Sequence, residues 1–143
     1  MPRNYASIAL TDAARAELLE TTPVMRFATV DPDGLPHVVP VTYAEVDGVI
    51  YFETDADAVK TRNVEATGKA AGVVDRGGHD FSQHRGVLWR GDAFVVEDRE
   101  TEMAVERAIF GTVKTLPEAS GHERVKIGLD PSREVSWDFR RLG

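Results

Sequence analysis

The sequence predicts a mainly β protein: an antiparallel barrel of six or seven strands, closed or nearly closed, with three short helices at its periphery. Three observations carry this. Segments 24–30, 124–130 and 133–139 alternate apolar and polar residues with the strand period of two. The strand segments follow one another mostly through short turns, as hairpins do. Neither a βαβ alternation nor an internal repeat is present, which leaves barrel closure as the way to bury one sheet face. The 143 residues fit a single domain, 1–143, large enough to bury its own core.

Residues 1–10 carry no periodicity and are expected to be an irregular, mobile N-terminal segment. Thr11 and Asp12 read as N-cap and first-turn acid of a helix over 12–20, packed down by Leu18 and Leu19 and stopped before Pro23. In 24–30, Val24, Arg26, Ala28 and Val30 share one face, and Met25, Phe27 and Thr29 the other. Asp31-Pro32-Asp33-Gly34 is a turn. The returning strand is expected over 35–46, with Pro36 and Pro40 placing parts of it at an edge or bulge. Asp47-Gly48 is a hairpin signal, and 49–54, almost wholly apolar or aromatic, reads as a central strand.

Asp55 or Asp57 is expected to cap a helix over 57–67 that Gly68 ends. A strand over 69–76, a loop over 77–84 and a long strand over 85–98, bent at Gly91, follow. A helix over 99–111 is expected to bury Met103, Ala104, Ile109 and Phe110. A connector spans 112–123. Then comes a strand with Val125, Ile127 and Leu129 inward, a turn at Pro131, and a last strand with Val135, Trp137 and Phe139 on one face.

Composition narrows the function. The absence of cysteine excludes disulfides, thiolate metal sites and cysteine nucleophiles. A formal net charge of −7 argues against a nucleic-acid partner, an oligonucleotide-binding barrel included, and means that an anionic ligand must be held by local cations. Neither a long apolar run nor a signal-peptide pattern is seen, so the expectation is a cytoplasmic protein with no membrane partner.

Residues 54–63 hold the densest polar chemistry. A strand ends at Thr54 and a helix opens a few residues later. Its free amides, Lys60 and Arg62, and the hydroxyls of Thr54 and Thr61 make either a phosphate cradle or an ordinary capped helix with solvated cations. Arg26, alone in an apolar strand, either faces a ligand phosphate or pairs with Glu45 or Asp75. The proline-interrupted stretch Pro40-Val41-Thr42 either offers unpaired backbone groups to the edge of a planar heterocycle or is a plain edge strand. Trp89 and Trp137 either stack on a ring system or fill the core. His79, Asp80 and His84 lack the spacing of zinc motifs, and His37 and His122 stand alone, so no metal site is expected. GxSxG, GxGxxG and Walker patterns are absent.

In their order and spacing, RFATVDPDGLPHVVPVTY, VIYFETDADAVKTRN, RGVLWRGDAFVVED and SREVSWDF resemble the pyridoxamine 5′-phosphate oxidase-like superfamily of FMN- and deazaflavin-binding split β-barrels, over roughly residues 15–140. The resemblance implies a homodimer with the cofactor in a groove between protomers. It implies that Arg26 and Thr29 face the ribityl-phosphate arm, that the backbone of Pro40, Val41 and Thr42 faces the isoalloxazine edge, and that Thr54 and Lys60 meet the phosphate. Trp137 falls where the partner protomer approaches the ring.

Departures accompany it. Ala58 and Val59 stand where flavin oxidases carry Ser and Arg, and Gly86 where vitamin B6 oxidases carry a ring-contacting Gln; the oxidases' C-terminal substrate-binding Arg and His have no counterpart. Lys60-Thr61-Arg62-Asn63 is similar to the helix opening of the deazaflavin-using branch. The implied function is a flavin-type oxidoreductase using FMN, or the deazaflavin coenzyme F-420, to transfer hydride or electrons to an unidentified small molecule. The alternative is a non-catalytic carrier of a flavin, a deazaflavin or haem on the same barrel.

Overall fold

A computed structural model describes residues 6–113 and 122–142. Seven strands form one antiparallel sheet: β1 (Val24–Val30), β2 (Pro36–Thr42), β3 (Ala44–Val46), β4 (Val49–Asp55), β5 (Lys69–Arg76), β6 (Arg85–Val95) and β7 (Arg124–Asp138), with α1 (Asp12–Thr21), α2 (Val59–Thr67) and α3 (Arg99–Phe110) around it. The strand order is β2-β1-β5-β6-β7-β4-β3.

The two edge strands, β2 and β3, are consecutive in the chain and separated only by Tyr43. So short a link between opposite edges requires the sheet to curl until its edges approach. Accordingly the ring of Phe27 on β1 lies 4.6 Å from that of Phe52 on β4, strands that the sheet order separates by three others. The result is a split barrel. Its interior holds the alternate residues Met25 and Phe27, Ile50 and Phe52, Val74, Val87 and Trp89, and Ile127 and Leu129, all fully buried. Leu18 of α1 and Val64 of α2 join this core. Asn63 of α2 donates to Thr29 Oγ1 in the interior (3.0 Å), satisfying two polar groups that would otherwise be buried bare.

The local signals mostly act as read. Thr11 caps α1 by accepting from the Ala14 amide. Asp31 accepts from the Asp33 and Leu35 amides in the first turn. Asp47 and Gly48 both adopt positive φ (51° and 82°), the hairpin geometry that matches strand twist. Within the expected N-terminal segment, Ala6–Ile8 forms a 3-10 turn with Ile8 buried, and the Leu10 amide donates to Ser136 Oγ; residues 1–5 lie outside the described residues, as does 114–121 of the connector.

Four expectations are corrected. The strand expected over 35–46 is two strands on opposite edges of the sheet, because Tyr43 turns the chain and its hydroxyl donates to the carbonyls of Thr22 and Leu19 (2.8 and 3.3 Å). Pro131 is not a turn: β7 runs through it, in register with Gly91 at a bulge between Arg90 and Gly91. A Cβ on Gly91 would lie 2.2 Å from the Asp130 carbonyl oxygen, so this close crossing needs glycine. Neither Asp55 nor Asp57 caps α2; its N-cap is Ala58, with no side-chain bond. The buried residues of α3 are Val105 and Glu106; of the expected stripe Ile109 packs partly buried against the same cluster, while Phe110 is 44% exposed, because α3 lies across the outer faces of β3 and β4.

Candidate functional site

Where β2 and β4 face each other across the split, a cleft of about 550 Å³ opens. It is lined by Pro40, Val41 and Thr42 of β2, Glu53, Thr54 and Asp55 of β4, Lys60 of α2, Ile109 and Phe110 of α3, and Arg124 of β7. Each arrives for a local reason. β2 is an edge strand, so its outer ladder of backbone groups has no strand partner among the described residues. The chain leaves β4 at Asp55 and enters α2 at Val59, which sets Lys60 beside Thr54. The first-turn amides of α2 receive no side-chain cap, leaving the positive end of the helix open. The last turn of α3 closes the cleft with apolar surface.

The charges are paired in a chain. Arg124 Nη1 donates to Asp55 Oδ1 (2.7 Å), and its Nη2 lies 3.7 Å from Glu53. Lys126 Nζ is 3.2 Å from Glu53 and 3.6 Å from Glu106. The Arg124 hydrogen bond holds the Asp55 carboxyl below its usual range. Burial lowers the Lys60 ammonium from its ordinary value; the charge of Asp55 opposes this and that of Arg124 adds to it. A half-enclosed cation of this kind is stabilised by an incoming anion.

Of the residues singled out from sequence, Pro40, Val41, Thr42, Thr54 and Lys60 come together in the cleft. Arg26, Thr29, Thr61, Arg62 and Trp137 do not line it. Arg26 sits on the outer face, 3.5 Å from Asp75, one of the two pairings expected for it. Thr29 is turned into the core by β1 alternation and bonded by Asn63. Thr61 is buried and donates to the Asp55 carbonyl (2.7 Å), so its hydroxyl braces the strand-to-helix turn. Arg62 lies on the exposed side of α2. Trp137 packs on the outer face over Gly86, where a Cβ would lie 2.4 Å from its ring. Trp89 takes its core alternative, fully buried and donating to Glu134 (2.7 Å).

Sequence reading missed Glu53, Asp55, Ile109, Phe110 and Arg124 as cleft residues. Alternation on β4 places Glu53 and Asp55 opposite Thr54's interior side. Arg124 reaches the cleft only through its pairing with Asp55 across β4 and β7, which no short-range pattern encodes. His122 is not isolated either: one ligand atom each from His122, Asp55 and Asp57 lie within 4.8 Å of one another. By contrast, His84 is hydrogen-bonded to the Gly78 carbonyl oxygen, and Asp80 caps the 3-10 turn Phe81–Gln83.

A curled antiparallel sheet with an open cleft at its seam, lined by paired charges and apolar side chains, defines the split-barrel class. The family model described as pyridoxamine 5′-phosphate oxidase matches residues 10–133, and the chain belongs to that family. It is 28% identical to the pyridoxine/pyridoxamine 5′-phosphate oxidase of Paracoccus denitrificans, over 93% of this chain and 67% of that one. Among solved structures, a conserved hypothetical protein of Mycobacterium tuberculosis superposes with a TM-score of 0.80 at 28% identity, covering 99% of this chain and 93% of the other. An F420 reductase superposes with a TM-score of 0.62 at 25% identity, covering 94% and 98%. No helix among the described residues is long and apolar enough to cross a membrane.

Proposed function

We propose that this chain is a flavin-type oxidoreductase that holds FMN, or the deazaflavin coenzyme F-420, in the cleft between β2, β4 and the start of α2. The observation carrying this is the convergence of Lys60 and Thr54 at one end of the cleft, beside the uncapped start of α2, with the β2 edge, Glu53, Asp55, Arg124 and the apolar Ile109 and Phe110 completing the lining. A phosphate suits that end. A planar heterocycle suits the β2 edge, where edge-strand backbone groups can fix its polar rim. The bound group would supply the hydride chemistry; the chain's own residues bind, orient and shield it. Lys60 and Thr54 hold the phosphate, Pro40–Thr42 set the ring, and Ile109 and Phe110 exclude water. The likeness to the F420 reductase supports the deazaflavin option.

Vitamin B6 oxidation is disfavoured at Gly86. A side chain there would meet the Trp137 ring at 2.4 Å and the Val74 carbonyl oxygen at 2.9 Å, so the oxidases' glutamine has no room.

A homodimer forms part of the reading. The outer face of β2-β1-β5-β6-β7 carries apolar residues at Pro40, Val73, Leu88 and Val135, with Arg26 between Pro40 and Val73, and at Val38, Ala28 and Ala71. Val38 is 63% and Val135 40% exposed. A second copy covering this face would bury them beside Trp137. The partner copy, the small-molecule substrate and a cytoplasmic setting belong to the proposal.

One observation favours the carrier alternative. None of the described lining residues is a His, Tyr or Cys that could relay a proton, and the two carboxylates, Asp55 on Arg124 and Glu53 on Lys126, are held by cations until a ligand enters. Haem is the weakest of its ligands, since none of the described lining residues is a His, Cys, Met or Tyr able to bind iron.

The test is an absorption spectrum followed by titration with FMN and with F-420. Lys60→Ala should weaken binding of the accepted cofactor by about 1–3 kcal/mol, the scale of one charge-assisted hydrogen bond. Unchanged affinity would defeat the assignment, and reduction without turnover against any acceptor would favour the carrier.

A further inference from the structure

We infer that Arg124 is a phosphate-binding residue of the cleft and that the Asp55 carboxylate holds the ligand's place on its guanidinium; this rests on the phosphate-bearing cofactor reading above. With Ala58 and Val59 at the entry to α2, that turn presents neither a hydroxyl nor a guanidinium there. Of the two cations it does offer, only Lys60 lines the cleft. The second cation on the cleft wall comes from β7, sixty-odd residues later in sequence. β4–β7 pairing sets Arg124 opposite Asp55, at the same end of the cleft as Lys60. The two cations are close enough for the charge of Arg124 to help depress Lys60.

Arg124 is also built to exchange partners. Its side chain is 41% exposed and that of Asp55 is 39% exposed. Asp55 takes the guanidinium at 2.7 Å, while Glu53 stands at 3.7 Å, outside hydrogen-bond reach. Guanidinium groups prefer to present two parallel N–H donors to an oxyanion. A phosphate entering between Lys60 and Arg124 satisfies both cations at once and releases Asp55 toward solvent. Glu53 remains engaged by Lys126 when this happens. Asp55 therefore acts as an internal competitor: it keeps the guanidinium aimed into the cleft and lowers the apparent affinity for the phosphate.

The test compares FMN with riboflavin, which differs by the phosphate alone, and F-420 with its phosphate-free chromophore, on the full chain and three variants. Arg124→Met should lower affinity for the phosphorylated form about ten- to hundred-fold and leave the phosphate-free form unchanged. Asp55→Asn should raise affinity for the phosphorylated form. In the Asp55→Asn/Arg124→Met double variant that gain should vanish. An Arg124→Met protein that keeps the parent's preference for the phosphorylated form, or a gain from Asp55→Asn that persists without Arg124, overturns the inference. A parent protein that binds neither pair, or shows no preference for the phosphorylated member, overturns the cofactor reading itself, and does so before any variant is measured.

Discussion

Replacing Lys126 with methionine should destabilise the fold by about 3–5 kcal/mol, the range for removing one partner from a buried ion pair. Lys126 Nζ lies 3.2 Å from Glu53 and 3.6 Å from Glu106, and the three side chains are 9%, 7% and 8% exposed. At an effective dielectric of about 20, each contact has a gross attraction of roughly 5 kcal/mol, most of which offsets the desolvation of the three ions. Methionine retains the apolar stem but not the charge. Glu53 keeps Arg124 at 3.7 Å. Glu106 loses the cation that neutralises it beneath α3, so most of the penalty falls there. Urea unfolding followed by far-UV circular dichroism reads the effect. With a slope of about 2 kcal/mol per molar, the midpoint should fall by about 2 M. A second substitution, Glu106→Gln, removes the stranded charge, and the double variant should regain a large part of the loss. A single variant within about 1 kcal/mol of the parent would refute the reasoning, since a loss that small is what a solvated surface pair gives. A double variant less stable than Lys126→Met alone would refute it too.

Two further outcomes are expected. Gly91→Ala should destabilise by about 2–4 kcal/mol in thermal unfolding, because its Cβ would meet backbone atoms of Asp130, Pro131 and Ser132 at 2.2–3.0 Å and must prise β6 from β7 at the bulge; a neutral result would mean the bulge yields freely. Glu134→Gln tests the cluster of Arg15, Glu134, Glu45 and Trp89. Burial by itself would raise the Glu134 carboxyl, but hydrogen bonds from Arg15 and Trp89, with the charge of Arg15, carry it below 4.5. Its folded-state value is thus depressed, so its stabilisation is present above about pH 4.5 and is lost as pH falls through the folded value. The side chains are about a third exposed, which limits the effect to about 1 kcal/mol. The variant should be less stable than the parent near neutrality and converge with it on acidification; a gap independent of pH would show that the carboxylate's charge plays no part.

How much of the site was legible in the sequence follows from the range of each signal. Lys60 and Thr54 were readable because a strand end, a short turn and a helix start lie within seven residues, and helix-end electrostatics act over that distance. Pro40–Thr42 were readable because proline cannot donate to a ladder and so marks an edge. Arg26 and Thr29 were assigned to the cofactor on resemblance; β1 alternation, which the sequence shows, sets Arg26 on the outer face beside Asp75 and the Thr29 side chain inward on Asn63. Phe110 looked like core because it is apolar, but the phase of α3 is set by what it packs against. Val105 and Glu106 face the barrel instead, the glutamate because Lys126 awaits it.

By itself, then, the sequence determined the things that depend on neighbours along the chain: the mainly β class, the period-two faces of β1 and β7, the capped α1, the Asp47-Gly48 hairpin and the cation at the start of α2. Tertiary structure alone decided what depends on pairing between distant segments. Tyr43 sends β2 and β3 to opposite edges, and the curl of the sheet brings those edges back together. β4–β7 register delivers Arg124 to Asp55, and Lys126 draws α3 down so that its last turn walls the cleft. The physical reason is that strand pairing and buried charge neutralisation are selected by whole-fold closure, and the partners' separation in sequence leaves no local trace.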